Sequence, residues 1–175
     1  MPSNARDPRQ QGGFSLFELV AAIAIIGVFA GVLLQRMLYL QEYAEMTAMD
    51  LTVANLRIGL RYKTGDLLIR DKVSEIATLA DENPVNWLQN QPQNYLGEFD
   101  RKPDADLRGK WYFDKTRHEL VYTINNRRHF LPANDHDYAL RWQAVRLRAK
   151  EGSILAGRSN ALWVALVQVG GGRWF

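Results

Sequence analysis

Residues 14–34 constrain this chain more than any other stretch. Over those 21 residues the only ionisable side chain is Glu18. A helix of that length is roughly 32 Å long at 1.5 Å per residue, enough to cross the hydrocarbon core of a bilayer. In front of it lies a polar leader, residues 1–13, which carries Arg6 and Arg9 against Asp7 and ends in Gly12 and Gly13. A secretory signal peptide has a shorter apolar run and a small-residue cleavage site behind it. The run here is too long, and Leu34, Gln35, Arg36 and Met37 offer no such site. A plain signal anchor accounts for the hydropathy but explains neither the glycine pair nor Glu18. A carboxylate inside a spanning helix is costly and calls for a partner. If the chain is cut after Gly13, Phe14 carries a new α-amino group. Glu18 lies four residues on, along the same helix face. Its charge is then met by an amine, its own or that of a neighbouring copy.

Gly13, Phe14, Ser15, Leu16, Glu18 and the apolar run behind them resemble the N-terminal signal of type IV pilins and type II secretion pseudopilins. The resemblance covers about the first 34 residues. It implies that a membrane peptidase cuts between Gly13 and Phe14 and methylates the new amine of Phe14. It implies that Glu18 serves assembly by pairing with the amine of an adjacent subunit. The expected partners are the prepilin peptidase and methyltransferase, other pilin or pseudopilin subunits, an inner-membrane assembly platform and membrane lipid.

Arg6 and Arg9 favour a cytoplasmic leader by the positive-inside rule, although Arg36 on the far flank weakens that bias. The bulk of the chain is then expected outside the inner membrane. Gly27 and Gly31 form a G-x-x-x-G pair, which lets spanning helices approach closely. Glycine is also simply common in such helices. Many major pilins carry a proline shortly beyond the span. None occurs here between Pro8 and Pro84, and the chain has no cysteine, so no disulfide closes a distal loop. Both departures point to a minor pilin or pseudopilin.

Beyond residue 34 the helix is predicted to continue to about Tyr62–Asp66, where Gly65 breaks the pattern. Met46, Met49, Val53, Leu56 and Leu60 are spaced 3, 4, 3 and 4, one apolar stripe for a core. Glu42, Glu45, Asp50, Asn55, Arg57 and Arg61 are read as lying off it. Asp71 is the expected N-cap of a short helix with Val73, Ile76, Leu79 and Ala80 on one side. Turn formers follow, with Trp87, Leu88, Tyr95 and Leu96 as plugs that pin a loop to the domain. Residues 100–106 read as a surface loop.

Residues 110–114 and 119–124 form a predicted hairpin. A strand follows at 138–148, with Leu140, Trp142 and Ala144 on one face, joined by Val145 and Leu147 if the strand slips by one residue. The last strand spans 161–169. Gly170, Gly171 and Gly172 then leave Arg173, Trp174 and Phe175 as a flexible tail. The expected fold class is α+β: one long N-terminal helix packed on a small antiparallel sheet of about four strands. The expected segments are a leader (1–13), a spanning helix (14–34), the outer helix (35–66) and a globular domain (67–175).

No catalytic constellation is present. His118, His129 and His136 lack metal-ligand spacing, and Ser153 and Ser159 sit in no nucleophile elbow. Asp135, His136 and Asp137 read as a polar turn. Glu98, Asp100, Asp104 and Asp106 are dense in acid but lack the alternation and glycine of a calcium loop. No enzyme activity, metal or cofactor is expected. Residues 1–105 carry 10 Lys and Arg against 13 Asp and Glu, and residues 106–175 carry 12 against 6. The basic half, with Arg127, Arg128, Arg141, Arg146, Arg148, Lys150 and Arg158 near Trp142 and Trp163, raises nucleic-acid binding. An ordinary solvated strand face, or charge complementarity between copies, accounts for it better. The competing reading of the whole chain is a single-pass protein with a periplasmic binding or scaffold domain that never polymerises. In that case the leader stays on and Glu18 is dispensable.

Overall fold

The computed structural model describes residues 15–132, 134, 137–148 and 162–174. The chain divides into two units, Met1–Leu40 and Gln41–Phe175. One helix, α1 (Leu16–Ile69), enters both.

In the first unit the helix keeps none of its apolar run buried, and the run is long and apolar enough to cross a membrane. Leu16 and Phe17 are 79% and 81% exposed, and Ile26 is 66% exposed. In the second unit the predicted stripe is the core. Met49, Val53, Leu56 and Leu60 are buried, Leu56 completely, and Met46 is half-buried. Burying a side chain of that size contributes about 1.5–3 kcal/mol, so this part of α1 is held by its own sheet.

The helix runs past Gly65 to Ile69, because a glycine in a packed helix costs only about 1 kcal/mol. It stops at Asp71, which takes a left-handed φ of 57°. The Asp71 N–H donates to the Leu68 carbonyl at 3.2 Å, and the Lys72 N–H to the Leu67 carbonyl at 2.8 Å. This is the Schellman closure, with aspartate in the place glycine usually takes. Asp71 therefore ends α1 instead of capping the next helix. Lys72 precedes that helix, a 3-10 segment (Val73–Ala80), without a side-chain cap. The apolar spacing holds there, with Ile76, Leu79 and Ala80 buried.

A second 3-10 turn, Pro84–Trp87, starts on Asn83, whose side chain accepts the Val85 N–H at 3.0 Å. It brings Trp87 against α1 at Gly59, where a Cβ would stand 2.5 Å from the Trp87 carbonyl oxygen. Of the four expected plugs, Trp87 is buried, Leu88 and Tyr95 are half-buried, and Leu96 is exposed.

Seven strands follow: β1 (Tyr95–Phe99), β2 (Lys110–Asp114), β3 (Glu119–Thr123), β4 (Phe130–Leu131), β5 (Ala139–Arg148), β6 (Leu162–Gly171) and β7 (Arg173–Trp174). Five make one mixed sheet in the order β1-β2-β3-β5-β6. The four predicted strands are β2, β3, β5 and β6, all antiparallel. The fifth, β1, pairs parallel to β2. It escapes a periodicity search because Gly97 (φ 114°) bulges it and shifts its register between Tyr95 and Glu98.

The inward face of the sheet brings Trp111, Phe113, Leu120, Tyr122, Leu140, Trp142, Val164 and Leu166 into one core with α1 and the 3-10 segment. The outer face holds a smaller cluster of Leu107, Tyr112, Val121 and Ala139. β5 does not slip. The irregularity lies opposite it, where Arg141 pairs with Gly170 and Trp142 with Gln168, leaving Val169 as the extra residue. Val145 and Leu147 stay on the outer face, and Leu147 is exposed.

The C-terminal segment is not a free tail. Strand β7 pairs antiparallel with β4, Phe130 opposite Trp174 and Leu131 opposite Arg173. Gly171 has a φ of 109°, and a Cβ on Gly172 would collide with the Leu131 carbonyl. The glycines read as a floppy spacer are what lets the chain pass this close.

Candidate functional site

Two places in the structure stand out, the start of α1, where Glu18 was expected to serve assembly, and the start of the second unit. Ser15 precedes α1, and its Oγ accepts the Glu18 N–H at 3.1 Å while its carbonyl accepts the Leu19 N–H at 3.1 Å. Ser15 is thus the N-cap and Glu18 the third helical residue, the spacing of a capping box. Acid in the first turn also complements the positive end of the helix dipole. Glu18 is exposed. Gly13 and Phe14, the expected cleavage and methylation positions, lie outside the described residues. At Gly27 and Gly31 no atom lies within 4 Å of where a Cβ would be. Among the described residues, no other part of the chain packs against these two glycines.

The second site was missed. Glu42 is 1% exposed. Its Oε1 accepts the His129 N–H at 2.8 Å and the Trp174 indole N–H at 3.2 Å, and its Oε2 lies 2.7 Å from His129 Nδ1. Burial pushes the Glu42 carboxyl up, but the His129 and Trp174 donors together outweigh it and hold the group below the ordinary carboxylate range. One turn on, Glu45 accepts from the Tyr122 hydroxyl at 3.0 Å, from the backbone N–H groups of Asn125 and Asn126 at 2.7 and 2.9 Å, and from the Asn126 side chain at 2.8 Å. Burial, and then Glu45, push the Tyr122 phenol well up. The two glutamates gather the loop at 125–129 and the C-terminal strand onto α1. The signal was present: Glu42, Met46 and Met49 continue the 4, 3 spacing, so Glu42 sits on the core stripe and not off it. An acid on a core line has to find donors.

Among the described residues of the basic half, Arg127, Arg141 and Arg146 are engaged within the chain and Arg128 is exposed. Trp142 is buried in the core, so it cannot stack on a base. Arg141 binds Asp137 through two hydrogen bonds of 2.7 and 2.9 Å and lies 3.7 Å from Glu119. Arg146 pairs with Asp81 and donates to the Ala77 carbonyl at 3.0 Å. Arg127 lies 4.4 Å over the Tyr138 ring. Lys150 and Arg158 lie outside the described residues.

Three of the four acids of the acid-rich stretch have partners, and Asp104 is exposed. Glu98 accepts from Asn83, Asp100 pairs with Lys115, and Asp106 pairs with Arg108, which holds its carboxyl at about 2. Among the described residues no three His, Cys, Asp or Glu side chains converge as metal ligands. His118 packs edge-on against Phe113 and His129 is in the Glu42 cluster. Asp135, His136, Ser153 and Ser159 lie outside the described residues.

The family model of the prokaryotic N-terminal methylation motif matches residues 8–34. No curated protein and no solved structure matches the chain.

Proposed function

We propose, from the premise that this chain carries the type IV pilin and pseudopilin signature, that it is a structural subunit of a type IV pilus-like or type II secretion filament. The observation that carries this reading is the match over residues 8–34. The capped helix start beside Glu18 and the wholly unburied apolar run behind it are consistent with it. The missing proline and cysteines favour a minor pilin or pseudopilin.

In this reading the precursor spans the inner membrane once, with its leader in the cytoplasm and residues 41–175 in the periplasm. The prepilin peptidase hydrolyses the Gly13–Phe14 bond, and the new amine of Phe14 receives a methyl group. The assembly platform then moves the subunit from lipid into a bundle of like helices. Apolar side chains exchange lipid contact for helix contact, Gly27 and Gly31 admit a close neighbour, and Glu18 gains the amine of an adjacent subunit in a low-dielectric core. A head-to-tail interface that does not close on itself extends as a filament. Catalysis is done to this chain and not by it.

Intact mass of the chain from membranes of cells with and without the peptidase tests this. The expected result is loss of residues 1–13 and gain of one methyl group, only where the peptidase is present. An uncut chain in both strains overturns the proposal and leaves a single-pass protein that does not polymerise.

A further inference from the structure

The contacts of the C-terminal strand are few and unusually placed. Strand β7 has two ladder pairs with β4, far too short a ribbon to hold itself in water. Gly170 and Gly171 still belong to β6, opposite Arg141 and Leu140, so β7 is reached through Gly172 alone, of the residue type that loses most conformational freedom on ordering. What remains to fasten it is Trp174. Its ring meets Phe130 edge-on at 5.4 Å, and its indole N–H reaches Glu42.

Glu42 in turn depends on what it fastens. A carboxylate 1% exposed is expensive unless donors surround it. Its donors come from two separate segments, the loop at His129 and the strand at Trp174. Neither segment reaches Glu42 through local sequence, at separations of 87 and 132 residues. Phe130, between them, belongs to the loop side and carries the Trp174 ring. Docking of either segment therefore improves the site for the other.

We propose that residues 172–174 are a strap, that Glu42 is its catch, and that closure of the strap and ordering of the 125–129 loop are a single step. Glu42 is a positioning residue: it decides whether residues 172–174 lie on α1 or swing from the end of β6. The inference is independent of cleavage and of filament formation.

The chain has no cysteine, so an introduced pair reports only itself. In full-length protein held in detergent, Leu131→Cys with Arg173→Cys joins β4 to β7. Lys110→Cys with Thr123→Cys joins β2 to β3 as a control for the sheet. The strap pair is expected to oxidise within one chain. Adding Glu42→Gln is expected to slow it about tenfold, the effect of losing a charge-assisted hydrogen bond, with the control pair unchanged. Trp174→Phe, which keeps a ring and removes only the N–H, is expected to slow it severalfold. If Glu42→Gln slows the control pair too, the sheet itself is disturbed and Trp174→Phe decides alone. Unchanged strap oxidation in the deciding variant overturns the catch. Disulfides mainly between chains overturn a strap that closes on its own copy.

Discussion

Residues 16–40 and 41–69 belong to one helix and use much the same apolar residues, yet they meet opposite fates. Leu56 is fully buried by the chain's own sheet, whereas Ile26, in a run that is more apolar, is 66% exposed. The difference does not lie in propensity, since Ile, Val, Gly and Leu occur in both stretches. It lies in patterning. The second stretch sets one apolar stripe, Met49, Val53, Leu56 and Leu60, into the core, and on its other faces mixes Asp50, Asn55, Arg57 and Arg61 with exposed Leu51 and Ile58. The first is apolar all round, the pattern of a helix whose surroundings lie outside its own chain. One helix thus carries a half that completes a core and a half that supplies surface for lipid or for other helices.

The largest test of that contrast is a matched pair of truncations. Leu56→Ala should cost about 2–5 kcal/mol of unfolding free energy. Ile26→Ala should change the same transition by less than about 0.5 kcal/mol. All five tryptophans lie between residues 87 and 174, so tryptophan fluorescence in denaturant reads the second unit alone. Equal losses would mean that the two stretches share one core.

A smaller effect tests the clasp at the start of the second unit. The folded Glu42 carboxyl is held below the value of an unperturbed glutamate. Its contribution is therefore complete above that value and is lost as pH falls through the folded one. Asp137, held down by Arg141, acts with the same sign. Melting temperature should fall on acidification, and Glu42→Gln should flatten that fall without removing the part owed to Asp137. An identical acid limb in the variant would place the pH dependence elsewhere.

The smallest effect on stability belongs to Glu18. Glu18→Gln keeps a residue that a capping box accepts and should leave the tryptophan transition within about 0.5 kcal/mol. The amount of chain in sheared filaments should nevertheless drop at least about tenfold, since an amine in the apolar bundle loses its counter-charge. Filament yield unchanged by this variant would separate Glu18 from assembly.

These two stretches also mark what could be read from sequence. The stripe from Met49 to Leu60 and the strands β2, β3, β5 and β6 were legible because burial repeats with a period that the chain displays. β1 was not, since Gly97 breaks its alternation and its partner is parallel. Asp71 was misread because aspartate serves both ends of helices, and only the φ of 57° tells which. The strap was missed for a different reason: its anchors, Glu42 and Phe130, are far away along the chain, and glycine followed by aromatics looks alike whether loose or docked. At the N-terminal site, Glu18 was picked out because its cost in an apolar helix is visible locally. Glu42 was passed over because an acid in a mixed stretch raises no such alarm, although its place on the stripe does.

The clasp also has a consequence in time. Trp174 reaches Glu42 across 132 residues. At roughly 5–20 residues per second of synthesis, the carboxylate emerges on the order of ten seconds before the indole that completes its shell. The apolar run is made earlier still. A nascent chain that has not yet reached Trp174 therefore carries a Glu42 carboxylate still one donor short.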